Sequence, residues 1–209
     1  MSLRFRSLGS GSAGNATLVE SGDGLRRRNL LIDCGMPLRR LTARLQQAGV
    51  EPGGLAAVFI THEHADHAGC VQQLALRLRI PVWMSRGTHA AMGAPDFDGL
   101  LRQARDGDML DVAGMQLQPF TVPHDAREPL QLRCSDGDRA LGLATDLGHA
   151  SAHVVDSLQR CHALLLEANH DPDMLAASNY PDFLKRRVAG DRGHLSNAAS
   201  AGLAAMLNH

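Results

Sequence analysis

Thr61-His62-Glu63-His64-Ala65-Asp66-His67 sets three imidazoles and a carboxylate within six residues, directly after the apolar run Ala56-Ala57-Val58-Phe59-Ile60. Such a run predicts a buried strand, so four groups able to bind a metal leave the carboxyl end of one strand together. Neutral imidazole and carboxylate suit zinc, manganese or iron. A loop leaving a rigid strand can hold two ions at a fixed separation.

Working outward, the 209 residues suffice for one sizeable core, and no apolar run approaches the ~18–20 residues that a membrane span needs. No secretory signal is visible at Met1-Ser2-Leu3-Arg4-Phe5-Arg6, so the expected location is cytoplasmic. Cys34, Cys70, Cys134 and Cys161 form no CxxC pair, which removes zinc-ribbon and thioredoxin-type readings and predicts reduced, mostly buried thiols. A net charge of −1 argues against nucleic-acid binding through bulk positive charge, though a local basic patch remains open. Aromatic residues at 3% argue against stacking many bases.

Along the chain, Arg4 to Leu8, Ala16 to Glu20 and Asn29 to Asp33 read as strands, the last two joined across Ser21-Gly22-Asp23-Gly24. Between the first two, Gly9 to Asn15 is a Gly/Ser loop without the Lys or helix of a P-loop. It predicts close backbone approach to another element, with direct substrate contact as the second reading. Asp33 ends an apolar run and either caps the turn at Cys34-Gly35 or orients a ligand histidine. Pro37 to Ala48 and His67 to Arg79 carry helical periodicity, and Pro81 to Met84 is a short strand. Residues 87–108 show little periodicity and predict a mobile segment in which His89 packs rather than ligates.

Strands at 109–112 and 115–122 then deliver His124 at a strand end. Strands at 130–134 and 139–144 deliver Asp146, and the buried strand Ala163 to Leu166 leads to Glu167. Helices are expected at 150–160, 173–178, 181–189 and 198–207. Alternating strands and helices predict an α/β chain of two sheets packed face to face, helices outside, with the polar loops at one edge.

His62, His64, Asp66, His67, His124, Asp146 and His194 thus fall at successive loops. Their order, with the HxHxDH word at His62 to His67, resembles the metallo-β-lactamase superfamily across essentially the whole chain. The resemblance implies an αββα sandwich over residues 1–209 as one domain. It also implies two divalent metal ions, zinc or manganese with iron as a further candidate. His62, His64 and His124 would hold one ion, Asp66, His67 and His194 the other, and Asp146 would bridge them. Such a pair activates a bridging hydroxide as nucleophile.

The words Leu8 to Asn15, Thr61 to His64, His124 to Ala126, Thr145 to Gly148, Glu167 to Asp171 and Gly193 to Asn197 are similar to the YycJ (WalJ) group, itself similar to the RNase Z and RNase J nucleases. That implies a metal-dependent phosphodiesterase, an exonuclease acting on DNA, with Asp66 and His170 as catalytic residues. His170 stands where a proton donor to the leaving oxygen could sit; it is alternatively a seventh ligand in place of His194 or a cap for the following helix. Ser196 and Asn197 open the last helix and offer a phosphate seat, or Ser196 simply caps it. Members of the group continue with a further strand and a second His-Leu-Ser word beyond the point matched by Asn208-His209. A smaller phosphodiester or an acyl thioester are the alternative substrates, and a metal-binding regulatory protein is the non-enzymatic alternative. Arg26-Arg27-Arg28, Arg39-Arg40 and Lys185-Arg186-Arg187 are the basic clusters a nucleic acid could use. Oligomeric state is not legible in the sequence.

Overall fold

The apolar run before the histidines is strand β4 (Leu55–Phe59), and from Ala57 onward it is buried on both faces. A computed structural model describes residues 2–22 and 27–207. Asp23-Gly24 of the expected hairpin, Arg26 of the first basic cluster and the terminal Asn208-His209 lie outside the described residues.

Two-sided burial explains why β4 and its parallel neighbour β3 (Arg27–Ile32) read as continuous apolar runs rather than alternating ones. Side chains on one face of each strand, Leu30, Ile32, Ala57 and Phe59, meet Leu117, Leu130, Leu132 and Leu143 of the other sheet. The alternate residues Leu31, Val58 and Ile60 face outward onto Leu41, Leu45 and Leu74. Emptying a site such as that of the wholly buried Phe59 costs about 3–5 kcal/mol.

The first sheet runs β1 (Ser2–Gly9), β2 (Ala16–Gly22), β3, β4, β5 (Val82–Met84), β6 (Leu101–Gln103) in spatial order. Its first three strands are antiparallel and the rest parallel. Helices α1 (Leu38–Gln47), α2 (Ala65–Ala68) and α3 (Val71–Leu78) supply the parallel crossovers. The second sheet is built from β7 (Leu110–Val112), β8 (Met115–Thr121), β9 (Leu130–Ser135), β10 (Ala140–Ala144) and β11 (Ala163–Leu166), ordered β11-β10-β9-β8-β7. On its outer face Phe120, Val122 and Ala144 pack with Val154 and Leu158 of α5 (Ala152–Leu158) and Leu203 of α8 (Asn197–Met206). Helix, sheet, sheet, helix is the αββα sandwich that the strand–helix alternation predicts.

Two local expectations change. The helix expected over 67–79 is interrupted: the Cys70 N–H bonds the Cys34 carbonyl at 3.1 Å, and the ladder restarts at Val71. His67 therefore belongs to a single turn folded against the first sheet. The segment 87–108, expected to be irregular and mobile, contains part of α4 (Arg86–Ala91) and the edge strand β6. Both are too short to show periodicity. The Ser85 hydroxyl fixes α4 by accepting the Thr88 N–H at 2.9 Å and donating to the Glu128 carbonyl at 2.8 Å. His89 packs as expected, with Nε2 at 2.9 Å from the Pro95 carbonyl.

Candidate metal centre

Parallel pairing of Ile32 with Phe59 brings the ends of β3 and β4 out side by side. Asp33 leaves β3 with φ 61°, a left-handed turn that aims its carboxylate sideways at the histidine loop. One Asp33 oxygen accepts the Thr61 N–H at 2.9 Å, and the other lies 2.8 Å from His67 Nδ1. The second of the two readings of Asp33, orienting a histidine, therefore describes its contacts. With Nδ1–H donated to Asp33, His67 presents Nε2 to the site.

The other histidines are held similarly. His124 Nδ1 faces the Gly193 carbonyl at 3.1 Å, a contact only an N–H can make, so the lone pair is on Nε2. His62 Nε2 is 3.0 Å from His64 Nδ1, which is 3.4 Å from His124 Nε2. His194 Nδ1 lies 2.6 Å from Glu167 Oε1, the carboxylate that follows β11. Asp146, which follows β10, stands between them, with one oxygen 3.3 Å from His67 Nε2 and the other 3.6 Å from His194 Nδ1.

The seven expected ligands thus gather at one edge of the sandwich, delivered by β4, β8, β10 and the loop before α8. Ligand atoms of His62, His64 and His124 lie within 4.8 Å of one another, as do those of His62, His67 and Asp146, and those of Asp146, Glu167 and His194. Asp66 is looser: its Oδ2 is 3.7 Å from His67 Nε2 and accepts the Asn15 Nδ2–H at 3.1 Å. His170 stands outside these groups. Its backbone bridges Ser196, and its Nδ1 is buried with no hydrogen-bond partner. Asp171, not His170, caps the following helix α6 (Pro172–Ala177) by accepting the Asp173 and Met174 N–H groups. Ser196 caps α8 through the Ala199 N–H, and Asn197 N–H bonds the His170 carbonyl at 2.8 Å.

Electrostatics divide the expected ligands. Burial, then its histidine neighbours, push the His62 pKa far down, so this ring is a neutral donor at physiological pH. Burial also disfavours charge on His67, but the Asp33 carboxylate and then Asp146 outweigh it and raise His67 to about 11. Burial lowers His194 too, and Glu167 more than reverses it. Asp146 is held below the usual carboxylate range, burial being overcome by His67. Imidazole nitrogens, held neutral at His62 and His124 by burial, converge beside the Asp146 carboxylate as the donor set of a first-row divalent ion, and Asp33 and Glu167 brace His67 and His194. The cluster fits divalent metal.

A proton on His67 Nε2 competes with an ion for the same lone pair. Because His67 is protonated below about 11 without metal, binding must release protons, and apparent affinity should rise as pH rises through neutrality and fall in acid. Calorimetric zinc or manganese titrations in buffers of differing ionisation heat should report net proton release. Heats independent of the buffer would show that His67 does not ligate.

Asp33→Asn keeps the size and the left-handed backbone that Asn tolerates, but removes the charge behind His67. Metal affinity measured by chelator competition should fall about 10–100-fold with the fold retained.

Glu167 and Asn15 were not assigned roles from the sequence. Glu167 carried the same signal as Asp33 and Asp146, a carboxylate immediately after an apolar strand. Asn15 ends the Gly/Ser loop: its N–H donates to the Asp66 carbonyl at 2.7 Å, its carbonyl accepts the Gly35 N–H at 3.0 Å, and Nδ2 lies 2.9 Å from His67 Nε2. The loop therefore makes the close backbone approach expected of it. It also lines a cavity of about 460 Å³ with Asp66, Asp146, Asn169 and His194.

Residues 9–166 match the model of the metallo-beta-lactamase superfamily. The chain belongs to the metallo-β-lactamase superfamily. Within that superfamily it is 32% identical over 206 residues to Exodeoxyribonuclease YycJ of Bacillus anthracis, covering 96% of this chain and 76% of the relative. Exodeoxyribonuclease WalJ of Streptococcus pneumoniae is 30% identical, at 95% and 74% coverage. Among solved metallo-β-lactamase folds, YhfI of Bacillus subtilis superposes with a TM-score of 0.75 at 17% identity, covering 99% of this chain and 82% of the other. Among the described residues no helix is long and apolar enough to cross a membrane.

Proposed function

We propose that this metallo-β-lactamase-fold protein is a metal-dependent phosphodiesterase that removes nucleotides from DNA. The observation that carries the reading is the pair of donor groups sharing Asp146, a residue that also lines the cavity, in a chain similar over most of its length to two exodeoxyribonucleases. Zinc or manganese bound there would supply Lewis acidity toward a phosphoryl oxygen and acidify water near neutral pH.

The chain's own residues do the rest. Asp33 and the Gly193 carbonyl fix the tautomers of His67 and His124 so that Nε2 of each faces the site, and Glu167 holds His194 through Nδ1. Asp66, tied to Asn15, takes the proton that attacking water sheds. His170 protonates the departing oxygen. The Ser196 hydroxyl and Asn197, at the positive end of α8, seat a non-bridging phosphate oxygen.

Metal-loaded protein should hydrolyse bis(p-nitrophenyl) phosphate and shorten end-labelled DNA while leaving an acyl thioester intact. Thioester turnover with both phosphodiesters untouched would overturn the reading. Binding of metal with no turnover of any of the three would instead favour a regulatory protein.

A further inference from the structure

Between β11 and α8 the chain leaves the sandwich as two short helices, α6 and α7 (Asp182–Val188), and α7 buries none of its residues. This excursion holds Met174, Tyr180 and Phe183, half of the six large apolar side chains exposed among the described residues, and Tyr180 is the chain's one tyrosine. Phe183 is 66% exposed and Tyr180 56%. Solvent-facing rings are costly to leave uncovered, and these two lie three residues apart in the chain.

Charge is ordered along the same helix. Asp182 lies in its first turn, while Lys185, Arg186 and Arg187 fill its last. Part of that order answers the helix dipole, but the last turn is also the end fastened to the metal centre. The Val188 carbonyl accepts the His194 N–H at 2.9 Å. Arg187 Nε donates to Asp125 Oδ2 at 2.5 Å, and Asp125 Oδ1 lies 3.4 Å from His124 Nε2. A Cβ on Gly193 would come within 2.3 Å of the Arg187 and Val188 carbonyls, so helix and ligand loop touch backbone to backbone. Lys185 is committed to the Ala176 carbonyl at 2.6 Å and locks α7 onto α6. The exposed Arg186 stays available, and Arg187, held through one nitrogen, keeps the rest of its donor fork free.

Phe183 and Arg187 are four residues apart, on one face and about 6 Å along the axis. The face therefore presents a ring and then cations, in that order, toward the candidate metal centre. We propose that the α6–α7 excursion is a platform for single-stranded DNA. On it Phe183 and Tyr180 stack on bases behind the scissile bond, and Arg186 and Arg187 take the intervening phosphates. Stacking needs unpaired bases, so the platform selects a single-stranded or frayed end over a paired duplex. The proposal rests on the phosphodiesterase reading and specifies its substrate.

The test compares wild type, Phe183→Ala, Tyr180→Ala and Phe183→Trp on a labelled oligo(dT) and on bis(p-nitrophenyl) phosphate, which has no flanking bases. For each alanine variant, the ratio of kcat/KM on the oligonucleotide to that on the small diester should fall about tenfold, through KM, and Phe183→Trp should restore it. Blunt duplex should be a poorer substrate than oligo(dT) for wild type. An unchanged ratio overturns the platform, as does equal loss on both substrates. A shift in self-association with the ratio intact also overturns it and makes the patch an interface between copies. Wild type that cleaves only the small diester overturns the platform and leaves the phosphodiesterase reading standing; wild type that cleaves neither overturns both.

Discussion

Asp146→Ala should reduce phosphodiester turnover by at least about 10³-fold, more than one electrostatic group of an active site usually supplies. The reason is its position. One oxygen faces His67 and the other His194, at 3.3 and 3.6 Å, and Asp146 belongs to two of the three donor groups. Removing it therefore weakens both proposed ion sites at once and also takes away a carboxylate that holds the proton on His67. The variant should bind fewer equivalents of zinc by elemental analysis after desalting, and its far-ultraviolet circular dichroism should match wild type. Unchanged turnover with a full metal complement would end the bridging assignment.

Gly35→Ala should be nearly as damaging without replacing a proposed ligand. A Cβ at Gly35 would sit 1.7 Å from the Asp66 carbonyl oxygen and 2.6 Å from the His67 nitrogen, distances no real side chain occupies. Either the turn after β3 or the histidine loop must retreat. Retreat strains the Cys34 N–H bond to the His67 carbonyl at 2.7 Å and the Gly35 N–H bond to Asn15. Overpacking against backbone costs about 3 kcal/mol, which in a chain of this size lowers Tm by about 6–12 °C. Activity should fall further than stability, because the displaced segment carries Asp66 and His67. Gly53→Ala, where a Cβ meets nothing within 4 Å, is the matched control and should change neither.

What the sequence revealed was what local pattern encodes. Every expected ligand except His194, which comes from the loop before α8, follows a strand, and a polar group in that position leaves the sheet at its edge. The layering was legible because β3 and β4 are apolar on both faces. The partners behind the ligands were less legible, since Asp33 to His67 spans 34 residues and Glu167 to His194 spans 27. No periodicity connects groups that meet only after two sheets dock. Ala163 to Leu166 illustrates the converse error. Four apolar residues read as a buried strand, yet β11 is half-exposed, because it stands at the end of its sheet with β10 on one side. Hydrophobicity marks a strand without stating what covers it.

The division of donors between the sheets has a consequence for folding itself. His62, His64, Asp66 and His67 follow β4 of the first sheet, whereas His124, Asp146 and Glu167 follow strands of the second. Neither sheet alone completes a donor group, apart from that of Asp146, Glu167 and His194. An ion held by both sheets binds the native state and not a state with one sheet undocked, so its free energy adds to every opening that separates them. Metal occupancy would thus act as a rivet, merging two potential unfolding units into one cooperative transition.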